Sequence, residues 1–187
     1  MLDLHIIHTI RNATKYYREN ESAFNALFPD IGASLRTKYF NAFQQDISFD
    51  KGYLTKIEKF PIITTSLVEV ANDANQFLGN RGMKNNLVIL INNECTINIY
   101  SDEYDYGKVV HRVIQAAMLA FKPDFLRIGY LNVEFVKSEE FEPDEDLISD
   151  GVKVYGRQLT YRAQQQLIVP PIAQPFELNW DLNPNLV

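Results

Sequence analysis

The stretch from Leu87 to Pro171 constrains the fold most. Its apolar residues recur at spacings of two, then of three and four, then of two again, before prolines interrupt the pattern. That order predicts strand, strand, helix, strand, acidic loop and strand, the signature of a compact α+β module. Leu87 to Ile91 is apolar on both faces and Cys95 to Tyr100 alternates, so with Asn92-Asn93-Glu94 as a turn the two form a hairpin whose first arm is the more central. A helix comes next. Ser101 and Asp102 can cap it, Glu103 and Asp105 suit its first turn, Val110, Val113, Ile114, Ala117, Met118 and Phe121 form one stripe, and Pro123 ends it. Phe125 to Val136 predicts a strand with Leu131, Val133 and Phe135 on one side, and Ser138 to Asp150, with seven acids, a charged surface loop. The closing strand, Val152 to Val169, puts Arg157, Leu159, Tyr161, Ala163 and Leu167 on one face and Thr160, Arg162, Gln164 and Gln166 on the other.

Upstream the pattern is looser. Leu4, Ile7, Ile10, Thr14 and Tyr17 keep the helical period and predict an amphipathic N-terminal helix. Phe24, Leu27 and Phe28 fit one helical turn that Pro29 stops, with Gly32 loosening the residues after it. Asp46 to Asp50 and Tyr53 to Glu58 read as a hairpin around Lys51-Gly52, and Phe60-Pro61 opens a strand over Ile62 to Val70. Asn72 to Asn86, rich in asparagine, reads as a long loop. The expected architecture is therefore α+β, a mostly antiparallel sheet of about four to six strands on one main helix plus an N-terminal helix. Residues 1–169 are expected to form one domain, an aromatic-rich region 1–58 leading into a core 59–169, and residues 170–187 an extended arm. In that arm Phe176, Leu178, Trp180 and Leu182 alternate, so on a sheet edge they would form one apolar row. Docking on its own domain and docking on another subunit are both open at this point.

Composition narrows the function. With 46% hydrophobic residues the chain has material for a core, and 10 Tyr and 12 Phe exceed what simple amphipathic patterns bury, which points to contact surfaces. A net charge of −6 argues against general attraction to a phosphate backbone. The single cysteine, Cys95, excludes an internal disulfide scaffold and cysteine-rich zinc sites, and folding in the cytosol is expected. An N-terminus with Asp3, His5 and His8 does not read as a signal peptide, and no apolar run approaches the ~20 residues of a membrane span.

No catalytic, cofactor or metal residue is predicted. His5 and His8 share a helix face without a third ligand in metal-motif spacing, and His111 has no sequence-evident partner for general-base work. Gly79-Asn80-Arg81-Gly82 lacks the lysine and hydroxyl of a phosphate loop. The carboxylates Glu139, Glu140, Glu142 and Asp144 read as solvated charge that could repel DNA or meet a basic partner. Arg157 and Arg162 suit either phosphate or inter-subunit ion pairs. A small enzyme using the acidic loop or His111, and an adaptor that holds a peptide by strand addition, are the rival readings from other classes.

Four segments together resemble the tail terminator (tail completion) proteins of tailed bacteriophages: Phe60-Pro61-Ile62-Ile63, the Leu87–Tyr100 region, the helix ending Ala116 to Phe121, and Arg157 to Arg162. The resemblance covers roughly residues 58 to 170. It implies a non-enzymatic virion structural protein, assembled in the host cytoplasm, that forms a homo-oligomeric hexameric ring. Such a ring stops the tail tube and offers its other side to the neck or connector; in contractile tails it also meets the sheath. Family members set sheet strands around a lumen that DNA crosses as cargo, with helices outside. The Asn72–Asn86 loop, the acidic insert and the C-terminal arm depart from the family pattern, and a neighbouring head-tail connector or adaptor remains the alternative.

Overall fold

A computed structural model describes residues 2–52, 57, 59–70, 87–143 and 152–169. Ten elements occur in chain order: α1 (Leu2–Glu19), α2 (Glu21–Ala26), α3 (Ala33–Phe43), β1 (Ser48–Lys51), β2 (Ile62–Val70), β3 (Leu87–Ser101), α4 (Tyr104–Ala120), α5 (Lys122–Arg127), β4 (Tyr130–Phe141) and β5 (Tyr155–Val169). The five strands make one sheet in the order β1-β2-β3-β5-β4, antiparallel throughout except for the parallel β1–β2 pair. This is the expected α+β class.

Side chains of successive strand residues point to opposite faces, so register assigns each residue a layer. Ile63, Cys95, Ile97, Ile99, Leu159, Tyr161, Ala163 and Val133 share one face and join Ile6 and Ile10 of α1 and Val109, Val110, Val113 and Ile114 of α4 in one buried cluster. All described helices that enter a core do so on this side. Each fully buried aliphatic side chain contributes about 1.5–3 kcal/mol, so this layer contact is the main source of stability.

Several local expectations are corrected. The buried stripe of α1 is Leu2, Ile6, Ile7, Ile10, Ala13 and Thr14, and Leu4 is exposed. Residues 87–101 form one strand, without a turn at Asn92-Asn93-Glu94. The backbone there is held on both sides, with Asn93 opposite Glu69 and Ala163. β1 pairs with β2 in parallel; the second arm of the expected hairpin, 53–58, lies almost wholly outside the described residues. Glu103 occupies the N-cap of α4 with no side-chain cap bond, while Ser101 Oγ accepts from the Glu103 N–H and donates to its carbonyl oxygen. Pro123 does not stop helical structure. It sits in the first turn of α5, where its missing N–H costs nothing, and Phe125 is therefore helical. β4 starts five residues later and runs on through Ser138–Phe141, so the acidic segment begins as strand. Residues 144–150, 72–86 and 170–187 lie outside the described residues.

Cys95 is fully buried against the helices, and burial pushes its thiol up to about 12. A thiol that stays protonated and covered does not attack disulfides. Titration with an aromatic disulfide reagent at pH 8 is expected to show negligible reaction in the folded protein and one thiol per chain in denaturant; prompt reaction without denaturant would contradict the packing.

Candidate functional site

Where α4 begins, the edge of β4–β5 gathers charge and aromatic rings. Arg157, on the helix-facing side of β5, lies directly opposite Glu140 and bonds its carboxylate, while its guanidinium sits 5.1 Å from the Tyr104 ring centroid. The Tyr104 hydroxyl donates to Glu140 at 3.3 Å, the Lys108 ammonium lies 4.0 Å from the same ring, and Tyr155 packs against it at 5.4 Å. Tyr104, Glu140, Tyr155 and Arg157 border a cleft of about 410 Å³ that Glu142 and Lys153 help to line.

A β-bulge produces this arrangement. Between Phe135 and Lys137 the β4 register shifts by one residue, so Phe135 and then Ser138 and Glu140 face the helices. Strict alternation would have turned Lys137 and Glu139 inward; they bond each other at 2.7 Å on the opposite face. Of the predicted carboxylates, Glu139 and Glu140 therefore serve different sides of the sheet.

The same shift sets Ser138 2.7 Å from His111 Nε2. A hydroxyl beside an imidazole invites a nucleophile–base reading, which the electrostatics oppose. Burial, then the Arg157 and Arg112 charges, lower the His111 pKa from 6.5 to about 4. General-base catalysis needs the imidazolium stabilised after proton transfer, and two cations do the reverse. The pKa is depressed in the folded chain, so the unfolded chain takes the proton first. The resulting stability is complete above pH 6.5 and drains as pH falls toward about 4. Urea midpoints at pH 7 and pH 5 are expected to fall less in His111→Gln than in the parent; equal falls would show that His111 is not the titrating group.

The opposite face of the sheet meets no described helix. Register lays its side chains in rows across β2, β3, β5 and β4: Ile62, Tyr100, Gly156 and Phe141; then Thr64, Asn98, Gln158 and Glu139; then Ser66, Thr96, Thr160 and Lys137; then Val68, Glu94, Arg162 and Glu134. The first row packs with Ile57, Phe60 and Val154 into a small apolar cluster. The next two are uncharged but for their β4 members. In the fourth, Arg162 reaches Glu94 at 3.4 Å.

Arg157 and Arg162, candidates for phosphate or partner contacts, thus both have acidic partners within the chain. Phe176, Leu178, Trp180, Leu182 and Asp144 lie outside the described residues. Among the described residues no group of three or more His, Cys, Asp or Glu could hold a metal ion, and no helix is long and apolar enough to cross a membrane. Tyr104, Lys108 and Tyr155 carried no sequence signal, because their meeting depends on contacts between α4 and β5.

No protein-family model matches the chain. No curated protein matches it. Among solved structures, a chain described as "Virion of native gene transfer agent (GTA) particle" is similar at 10% identity with a TM-score of 0.44, the match covering 79% of this chain and 95% of that one.

Proposed function

We propose that this protein is a non-enzymatic structural subunit of a phage-like virion, acting in the tail or neck as a ring that ends the tail tube and joins it to the head side. The observation that carries the reading is the two-sided sheet: helices and core on one face, and on the other polar rows that no described helix covers. A subunit of that form can close a ring by head-to-tail contacts with its sheet turned to the lumen. Along the rows Lys137 and Arg162 are offset by Glu94, Glu134 and Glu139. A wall without excess positive charge lets DNA pass without holding it, since affinity for the backbone scales with the phosphates neutralised. The resemblance to tail terminators supports the same reading, with tube, neck or connector and, in a contractile tail, sheath proteins as partners.

Electron microscopy of the purified protein and of particles containing it tests this. Closed rings, and label at the head–tail junction, are expected; a monodisperse monomer in solution together with no ring in particles would overturn the proposal. Deleting 170–187 is expected to weaken assembly while the far-UV spectrum keeps its α+β shape. Normal assembly without the arm would refute that part.

A further inference from the structure

A smaller cleft, of about 290 Å³, opens where the start of α4 meets α3. Tyr39 and Ala42 of α3, Val109 of α4 and Tyr155 of β5 form its walls, and the exposed residues Asp102, Glu103 and Asp105 form its rim. Acids at a helix start are ordinary, because the macrodipole favours them there. Two observations set these apart.

The first is that their carboxylates are unengaged. α4 has no side-chain cap bond, and none of the three side chains takes part in a hydrogen bond or ion pair. The cations of this corner are committed elsewhere: Arg157 to Glu140, and Lys108 and Lys153 over the rings of Tyr104 and Tyr155, at 4.0 and 5.1 Å. Lys38 alone among the described residues brings a positive charge to the lining, one lysine against three acids.

The second is Tyr106. It lines the same cleft, is 3% exposed, and its buried hydroxyl has no hydrogen-bond partner among the described residues. Arg18 acts on it electrostatically but spends its own donors on the Phe43 and Gln45 carbonyls and on Asp46. Burial first, with the charge of Asp102 at the rim adding to it, pushes the phenol up to about 12, so it stays a neutral hydroxyl with lone pairs to offer. Folded chains leave few such groups orphaned, since each is costly. A donor entering the cleft would complete it.

We propose that this cleft receives an arginine side chain presented by a partner protein, its stem along Ala42 and Val109 and its guanidinium among the rim carboxylates and the Tyr106 hydroxyl. Several acceptors at different angles suit the five N–H donors of a planar guanidinium better than the point charge of an ammonium, and the flanking Tyr39 and Tyr155 rings suit its flat face. Arginine and tyrosine are also the residues on which interface affinity most often rests. The cleft belongs to the helical layer, so docking there leaves the open sheet face free and stands whether or not the chain forms a ring.

Nuclear magnetic resonance of the full-length chain, isotope-labelled in its tyrosine rings, tests this. N-acetyl-arginine amide is the probe, and N-acetyl-citrulline amide, of the same shape without the charge, is its control. Saturable shifts at Tyr39, Tyr106 and Tyr155 are expected with the first and none with the second. Combining Asp102→Asn with Asp105→Asn is expected to weaken binding on the order of tenfold or more. Glu21→Gln with Asp30→Asn removes the same charge outside the cleft and should leave binding as it was. Tyr106→Phe deletes only the orphaned hydroxyl, and is expected to weaken binding several-fold without lowering the urea midpoint. No shifts, equal shifts with the citrulline control, equal weakening by the two double variants, or unchanged binding in Tyr106→Phe would each overturn the proposal. Spermidine moving the same signals as strongly would overturn it too, since a site for any cation is not an arginine site.

Discussion

Phe24→Ala is expected to lower the unfolding free energy by about 3–5 kcal/mol. Phe24 is fully buried, and its ring lies 5.1 Å from Phe28, 5.4 Å from Phe40 and 5.2 Å from Phe43. It is the sole buried residue of α2, a helix of 6 residues whose N-cap, Asn20, makes no side-chain cap bond. So short a helix has no stability of its own in water, because nucleation costs more than its few hydrogen bonds return. Phe43 is likewise the only buried residue of α3. Truncating Phe24 therefore leaves a void where α2 meets Phe43 of α3 in the core, and local unfolding should accompany the global loss. Urea denaturation measures the first, and hydrogen exchange of the amides in residues 21–43 the second. A loss below about 1 kcal/mol would mean that the aromatic cluster collapses around the missing ring.

Gly156→Ala is expected to cost about 1–3 kcal/mol or more, although it adds a single methyl group. A Cβ there would lie 2.6 Å from the Phe141 carbonyl oxygen and 2.8 Å from two carbons of its ring. Gly156 pairs directly with Phe141 across β4–β5, so relief requires the two strands to part. Phe141 also meets Tyr100 edge-on at 5.5 Å, so the apolar row at that end of the sheet would loosen as well. Gly32→Ala is the control, since nothing lies within 4 Å of its added Cβ. Thermal and urea unfolding should separate the two variants clearly. Combining Gly156→Ala with Phe141→Ala should recover only part of the loss, because the carbonyl contact stays; complete recovery would assign the whole effect to the ring.

Segments whose neighbours in sequence suffice to define them are legible in the sequence. β2 comes from its β-branched run, α4 from its stripe, and the faces of β5 from alternation. The interruption expected inside β3 fails for a definite reason. Asn92-Asn93-Glu94 favours a turn in isolation, but in the sheet Asn92, Asn93 and Glu94 pair with Gln164, Ala163 and Arg162 on one side and with Val70, Glu69 and Val68 on the other. Ladder bonds on both edges outweigh a preference worth a fraction of a kcal/mol. The beginning of β4 escapes the sequence for a related reason. Phe125 alternates acceptably as a strand, yet its burial beneath Tyr130, with ring centroids 6.3 Å apart, and Gly129 at φ +100° bring α5 down onto the strand after it.

Local order along the chain thus accounts for which segments are helix or strand and which of their residues are apolar, since those depend on residues a few positions apart. Pairing in space decided the rest. The position of β5 between β3 and β4 and the joining of Arg157 to Glu140 and Tyr104 rest on strand order and on the bulge at Val136. Because side chains alternate with a period of two, that one extra residue exchanges the faces of everything after it, and no count of spacings within a single segment reveals where the exchange occurs.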